Sequence, residues 1–151
     1  MKKSILKNYA KLIARSGANI RKNDVVIISA GLDQPEFVNM LCRECYLAGA
    51  EKVIVDWDCP AVQKTGIKYM KSKVLGRVET FEEERLKYRL EKNPAMIYLI
   101  SDDPDAFKGI DQKKLANAMK EKLKITKPYR DAMDNKYKWC IAAVPGEAWA
   151  K

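Results

Sequence analysis

Three short stretches place acidic side chains and a proline directly after apolar runs: Asp33-Gln34-Pro35-Glu36, Asp56-Trp57-Asp58-Cys59-Pro60 and Asp102-Asp103-Pro104-Asp105. If the apolar runs are strands of one parallel sheet, these carboxylates gather along its carboxyl edge, where open α/β sheets bind ligands. Two or three convergent Asp side chains can hold Mg²⁺ for phosphoryl chemistry. Ser29 and Ser101 lie near strand ends and would serve the phosphate. A simpler reading competes with this one. Asp accepts hydrogen bonds from the free N–H groups of a helix start, and Pro suits the first helical turn. Asp33 with Glu36 also has the spacing of a capping box. Helix caps explain each Asp without further assumptions.

Other chemistries are limited by what the chain lacks. It contains no histidine, which removes His-based triads, His metal ligands and imidazole acid–base catalysis. Any chemistry complete within these residues would need Asp, Glu, Lys, Cys or Ser. Cys42 and Cys45 have Cys-x-x-Cys spacing, but redox motifs of that kind sit at a helix start, where the dipole stabilises a thiolate. Here the pair follows Phe37-Val38-Asn39-Met40-Leu41, inside an expected helix. With Cys59 and Cys140 isolated, a second ligand pair for zinc is missing, and all four cysteines are expected to be structural thiols. The strand-end segment Ser29-Ala30-Gly31-Leu32-Asp33 has a single glycine, and neither a dinucleotide nor a P-loop phosphate cradle occurs. A Gly-x-Ser-x-Gly nucleophile elbow is absent as well. No residue of the chain is therefore assigned as catalytic, cofactor-binding or metal-ligating.

The elements that would position these groups follow from apolar periodicity. A first helix is expected from Lys2 or Lys3 to Ser16, with Ile5, Leu6, Tyr9, Leu12 and Ile13 on one stripe and Gly17 as its stop. Val25 to Ile28 reads as a strand buried on both faces. A helix from Pro35 to Ala48 ends at Gly49, and Lys52 to Asp56 forms a second strand. Cys59 to Lys73 is weakly amphipathic. Thr80 opens a clear helix, with Glu83 at capping-box spacing, and Asn93-Pro94 stops it. Met96 to Ile100 is the third strand. A basic helix starts near Asp111, with a continuation from Lys127-Pro128 through Met133, and Trp139 to Val144 is the fourth strand. Strands alternating with helices predict an α/β fold: a doubly wound, three-layer domain with a mainly parallel sheet of about four strands and helices on both faces.

The 151 residues are expected to form a single domain, 1–151. No apolar run approaches the roughly 20 residues of a membrane span. The start Met-Lys-Lys-Ser-Ile-Leu-Lys is positive like a signal peptide, but Lys7, Lys11 and Arg15 interrupt any hydrophobic region, so a cytoplasmic protein is expected. The net charge of +9 would attract acidic partners or nucleic acid. The charges are spread along the chain and mixed with Glu, so solvated helix faces are the favoured reading and nucleic acid is not.

Several segments, in order and spacing, carry a resemblance. These are Tyr9-Ala10-Lys11-Leu12-Ile13 with Gly17 and Asn19, Cys45-Tyr46-Leu47-Ala48-Gly49-Ala50, Val53 to Trp57, Ile97 to Asp103-Pro104, Ile110-Asp111, and the closing Trp139 through Pro145 to Trp149-Ala150. Together the chain resembles the N-terminal domain of the thermophilic metalloaminopeptidases. The resemblance implies a two-domain enzyme that removes N-terminal residues from peptides. In that family a C-terminal domain binds two divalent metal ions, of the Zn, Co or Mg class, through Glu, His and Asp. None of those ligand positions is matched here. The resemblance therefore implies a noncatalytic N-terminal portion, inactive alone, that helps wall a substrate cavity and contributes to a homodimer. The chain is expected to stop before the catalytic domain. The alternative is a stand-alone α/β module that binds Mg²⁺ and an anionic small molecule at the Asp-rich edge.

Overall fold

The computed structural model describes residues 2–144 and 146. The chain falls into two compact units, one built from Met1–Asp58, Pro94–Asp103 and Tyr137–Lys151, the other from Cys59–Asn93 and Pro104–Lys136.

The first unit holds the sheet. Its strands are β1 (Val25–Gly31), β2 (Lys52–Asp58), β3 (Ala95–Ile100) and β4 (Trp139–Ala143). They run parallel in the order β2-β1-β3-β4. This is the parallel α/β sheet that the alternation of strands and helices predicted. Two helices complete the unit, α1 (Lys3–Leu12), which runs on into a π-helical turn at Ile13–Gly17, and α2 (Pro35–Leu47). The π turn explains why the helical stripe extends past Leu12 in the sequence: the backbone keeps winding, one residue wider, until Ala18.

One face of the sheet packs on these helices. Val26, Ile28 and Ala30 of β1, Ala95, Ile97 and Leu99 of β3, and Ala142 of β4 meet Ala10, Ile13 and Ala14 from the N-terminal helix and Phe37, Val38, Leu41 and Cys45 from α2. The alternation along each strand puts these residues on a single face. Tyr9 packs its ring 5.7 Å from that of Phe37 and donates its hydroxyl to the Ala143 carbonyl at 2.9 Å, tying α1 to the end of β4. At the opposite end of the strands, the Lys138 ammonium bonds the Asp24 carboxylate and the Asn19 carbonyl. Helix α2 stops at Gly49, whose φ of +113° and close approach to the Lys22 backbone exclude a side chain. The remaining left-handed positions among the described residues are Gly109 and four asparagines, Asn19, Asn23, Asn93 and Asn135, the non-glycine residue that tolerates this region best.

The second unit is helical: α3 (Pro60–Tyr69), α4 (Ser72–Leu75), α5 (Thr80–Lys92) and α6 (Gln112–Met133). The weakly amphipathic segment after Cys59 thus forms two short helices. Helix α6 runs unbroken through Pro128 to Met133, taking in the continuation that the sequence suggested. Helices α5 and α6 are tied by Tyr129, which donates its hydroxyl to Glu83 at 2.6 Å, and by Lys122 with Glu82 at 3.5 Å. The capping box at the start of α5 lies one residue earlier than expected. Glu79 is the N-cap and its backbone N–H donates to Glu82 at 2.8 Å. Glu83, freed from that role, accepts from Tyr129.

All four cysteines are free thiols. Cys45 is fully buried in α2, and burial, followed by the nearby Cys42 and Glu44 charges, pushes its thiol up to about 12. In an unfolded chain the thiol ionises near 8.5. Between those two values the unfolded state loses a proton that the folded state keeps, so stability is full below the unfolded value and falls as pH rises. Urea titrations from pH 8 to 12 are expected to show this loss, at a limiting slope of about 1.4 kcal/mol per pH unit from this group. Cys45→Ala should lower overall stability yet flatten the alkaline slope; an unchanged slope would refute the assignment.

Candidate functional site

The strand order reverses at β1. The chain moves from β1 outward to β2, then returns to the other side of β1 for β3. In open α/β sheets the crevice at such a reversal, beyond the carboxyl ends of the strands, is where ligands bind. Here that position lies beyond Gly31 and Ile100, and the Asp33 carboxylate sits at it.

Asp33 follows β1 by two residues. Its Oδ1 accepts from the Ser101 hydroxyl at 2.7 Å and its Oδ2 from the Gln34 amide at 3.2 Å. Ser101 follows β3 directly and is the one buried polar side chain of the described residues, with 6% of its surface exposed. The backbone closes around the pair. A Cβ on Gly31 would stand 2.5 Å from Asp33 Oδ1 and 3.0 Å from Ser101 Oγ, and a Cβ on Gly146 would stand 2.6 Å from Asp33 Oδ2. The segment carrying Gly146 is led there by Val144, whose N–H extends the β3–β4 ladder by bonding the Ile100 carbonyl at 2.9 Å. Ends of β1, β3 and β4 thus meet at a single Asp side chain.

This arrangement corrects the reading of Asp33 as a helix cap. The N-cap of α2 is Gln34, which makes no side-chain cap bond, and Pro35 at the first helical position has no N–H to offer. The buried Ser101 hydroxyl needs an acceptor and finds one in the carboxylate. Asp56 and Asp58 lie inside β2, opposite Ser29 and Gly31 of β1, and the N-cap of α3 is Cys59, again without a side-chain bond. Asp102, Asp103 and Asp105 are exposed in the turn region after β3, where no helix begins until α6. Asp111 does cap a helix: at the start of α6 it accepts from the Lys114 N–H at 2.9 Å. The edge therefore collects many carboxylates but does not focus them: among the described residues no three His, Cys, Asp or Glu side chains come together to hold a metal ion.

Three of the thiols are poorly placed for chemistry. Burial raises Cys42 and Cys140 as well as Cys45, so these three stay protonated near neutrality and are poor nucleophiles and ligands.

The Asp33–Ser101 bond is expected to hold the switch point together. Asp33→Ala strips the buried hydroxyl of its acceptor and should cost about 1–3 kcal/mol in urea denaturation. Adding Ser101→Ala should recover part of that loss, because both partners are then gone. Full additivity of the two substitutions would show that the bond contributes nothing.

With this geometry in view, comparison with known proteins is specific. A family model described as thermophilic metalloprotease (M29) matches residues 2–151. The chain is 31% identical over 150 residues to aminopeptidase PepS of Streptococcus thermophilus, covering 99% of this chain and 36% of that protein. It is 32% identical over 152 residues to aminopeptidase AmpS of Bacillus subtilis strain 168, covering 96% of this chain and 36% of the relative. Wild-type AmpT from Thermus thermophilus shares the fold with a TM-score of 0.86 at 23% identity, over 98% of this chain and 38% of that one. The chain thus spans little more than a third of the length of the curated relatives it matches. The segment Pro145 to Ala150, part of the resemblance noted in the sequence, lies outside the described residues except for Gly146. A match running from residue 2 to residue 151 leaves one conclusion: the chain belongs to the thermophilic metalloprotease (M29) family.

Proposed function

We propose that this chain is the N-terminal, noncatalytic portion of a metal-dependent aminopeptidase that removes N-terminal residues from peptides. The carrying observation is that the family match fills the chain while covering 36% of the aminopeptidase relatives. Metal use is implied by the family, but the residues present do not fit a metal centre. Imidazole is absent from the sequence, and the described carboxylates and thiols do not converge. The chain's own contribution is therefore a rigid wall: a parallel sheet whose carboxyl edge is closed by Asp33, Ser101 and the two glycines.

The 151-residue chain is expected to show no hydrolysis of an aminoacyl p-nitroanilide above the uncatalysed rate when supplied with Zn²⁺, Co²⁺ or Mg²⁺. Metal-dependent turnover by the pure chain, abolished by a chelator, would overturn the noncatalytic assignment.

The intact enzyme is proposed to be a homodimer to which this portion contributes. Support comes from β4, an edge strand whose alternate residues Trp139 and Ile141 are 59% and 55% exposed. Large apolar side chains side by side on an edge strand favour covering by another protein surface. Sedimentation equilibrium should give an apparent mass that rises with concentration and falls back in a Trp139→Lys variant. A strict monomer at high concentration would remove this part of the proposal.

A further inference from the structure

The net positive charge is carried by the helical unit. Of the 29 Lys and Arg residues, 18 fall in Cys59–Asn93 and Pro104–Lys136, against 10 of the 20 Asp and Glu, which gives that unit +8 of the net +9. On α5 and α6 the two signs are mixed and paired, as in Lys87–Glu84, Lys124–Glu121 and Lys127–Asp131. The stretch from Cys59 to Val78 is different. It carries Lys64, Lys68, Lys71, Lys73 and Arg77 and no carboxylate at all.

The same stretch exposes large apolar side chains. Ile67 is the buried residue of α3. Val62 and Tyr69, seven residues apart, share the opposite side of the helix and are 70% and 75% exposed. A Cβ on Gly66 would stand 3.0 Å from the Met70 Cε, so the missing side chain lets the Met70 methyl lie back on α3. The chain then turns through two extended residues, Met70 and Lys71, into α4. From Lys68 to Val74 every residue is exposed. The Lys68 ammonium stands 5.4 Å from the centroid of the Tyr69 ring. Val62, Tyr69 and Met70 thus form an apolar ridge bordered by lysines.

A helix face that is merely solvated needs no large apolar side chains and gains from mixed charge, as α5 and α6 show. Two features select the partner. Four of the five cations are lysines, point charges on flexible stems that suit a diffuse anionic surface. The fifth, Arg77, is taken up by Glu79 at 2.6 Å. Val62 and Met70 gain nothing from a nucleic-acid phosphate backbone, whereas they and the amphipathic Tyr69 suit the boundary between lipid headgroups and acyl chains.

We propose that this surface docks reversibly on a bilayer containing anionic phospholipid. Tyr69 and Met70 enter the headgroup boundary, and Lys64, Lys68, Lys71 and Lys73 face the anionic headgroups. One short apolar patch with a basic cluster gives weak, salt-sensitive attachment at the surface. No helix among the described residues is long and apolar enough to cross a membrane. Attachment of this kind is independent of the reaction that the intact enzyme performs.

Flotation of the 151-residue chain with phosphatidylcholine vesicles, with and without about 30% phosphatidylserine, tests this. The chain should float with the anionic vesicles, stay in the lower fraction with pure phosphatidylcholine, and be released at about 0.5 M NaCl. Lys71→Gln with Lys73→Gln should lower the partition coefficient about twentyfold. Tyr69→Ser with Met70→Ser leaves every charge in place and should lower it about tenfold. All four positions are exposed, and an unchanged urea midpoint verifies that both variants fold. Anionic vesicles that leave the chain behind, or either double variant floating like the parent, would overturn the proposal. So would retention of the chain by a single-stranded oligonucleotide where vesicles fail to hold it.

Discussion

The structure depends on β1 being a central strand. Its backbone is bonded along both edges, to β2 from Val25 to Gly31 and to β3 from Val26 to Ser29. Val26 and Ile28 have no exposed surface. A strand so enclosed has little free backbone along its middle and little room for polar side chains. Polar chemistry is pushed to its ends, and α2 must return over the apolar face, which Phe37, Val38, Leu41 and Cys45 cover. Lys138 with Asp24 secures one end, Asp33 with Ser101 the other.

The carboxyl end has the position of a ligand site. There the Asp33 side chain takes the Ser101 hydroxyl and is closely approached by backbone at Gly31 and Gly146. Cys45 serves packing in the same unit, and its ionisation is opposed by the surrounding core.

Much of this was legible in the sequence, and what was not has physical reasons. Continuous apolar runs such as Val25 to Ile28 and Met96 to Ile100 suit parallel strands, and their alternation with helices pointed to the parallel direction. Boundaries shifted where local signals competed: Thr80 and Glu79 both offer caps, and the Glu82 side chain decided for Glu79. The Asp33–Ser101 bond could not be read, since it joins residues 68 apart and depends on β3 lying beside β1. Periodicity reports which face a residue occupies, not which strand is its neighbour.

The strand order also bears on how the molecule reaches its native state. The sheet unit is assembled from three separate stretches of chain, and the helical unit from the two stretches between them. The β1-α2-β2 segment can pair early, since its contacts are near in sequence. β3 must then find the open edge of β1 across a loop that contains α3, α4 and α5, and β4 waits for α6. Each such closure spends chain entropy before any contact repays it. During synthesis the open backbone edge of β1 accordingly stays unpaired until the third strand emerges, making this interval the one in which the nascent chain is most exposed to wrong strand partners.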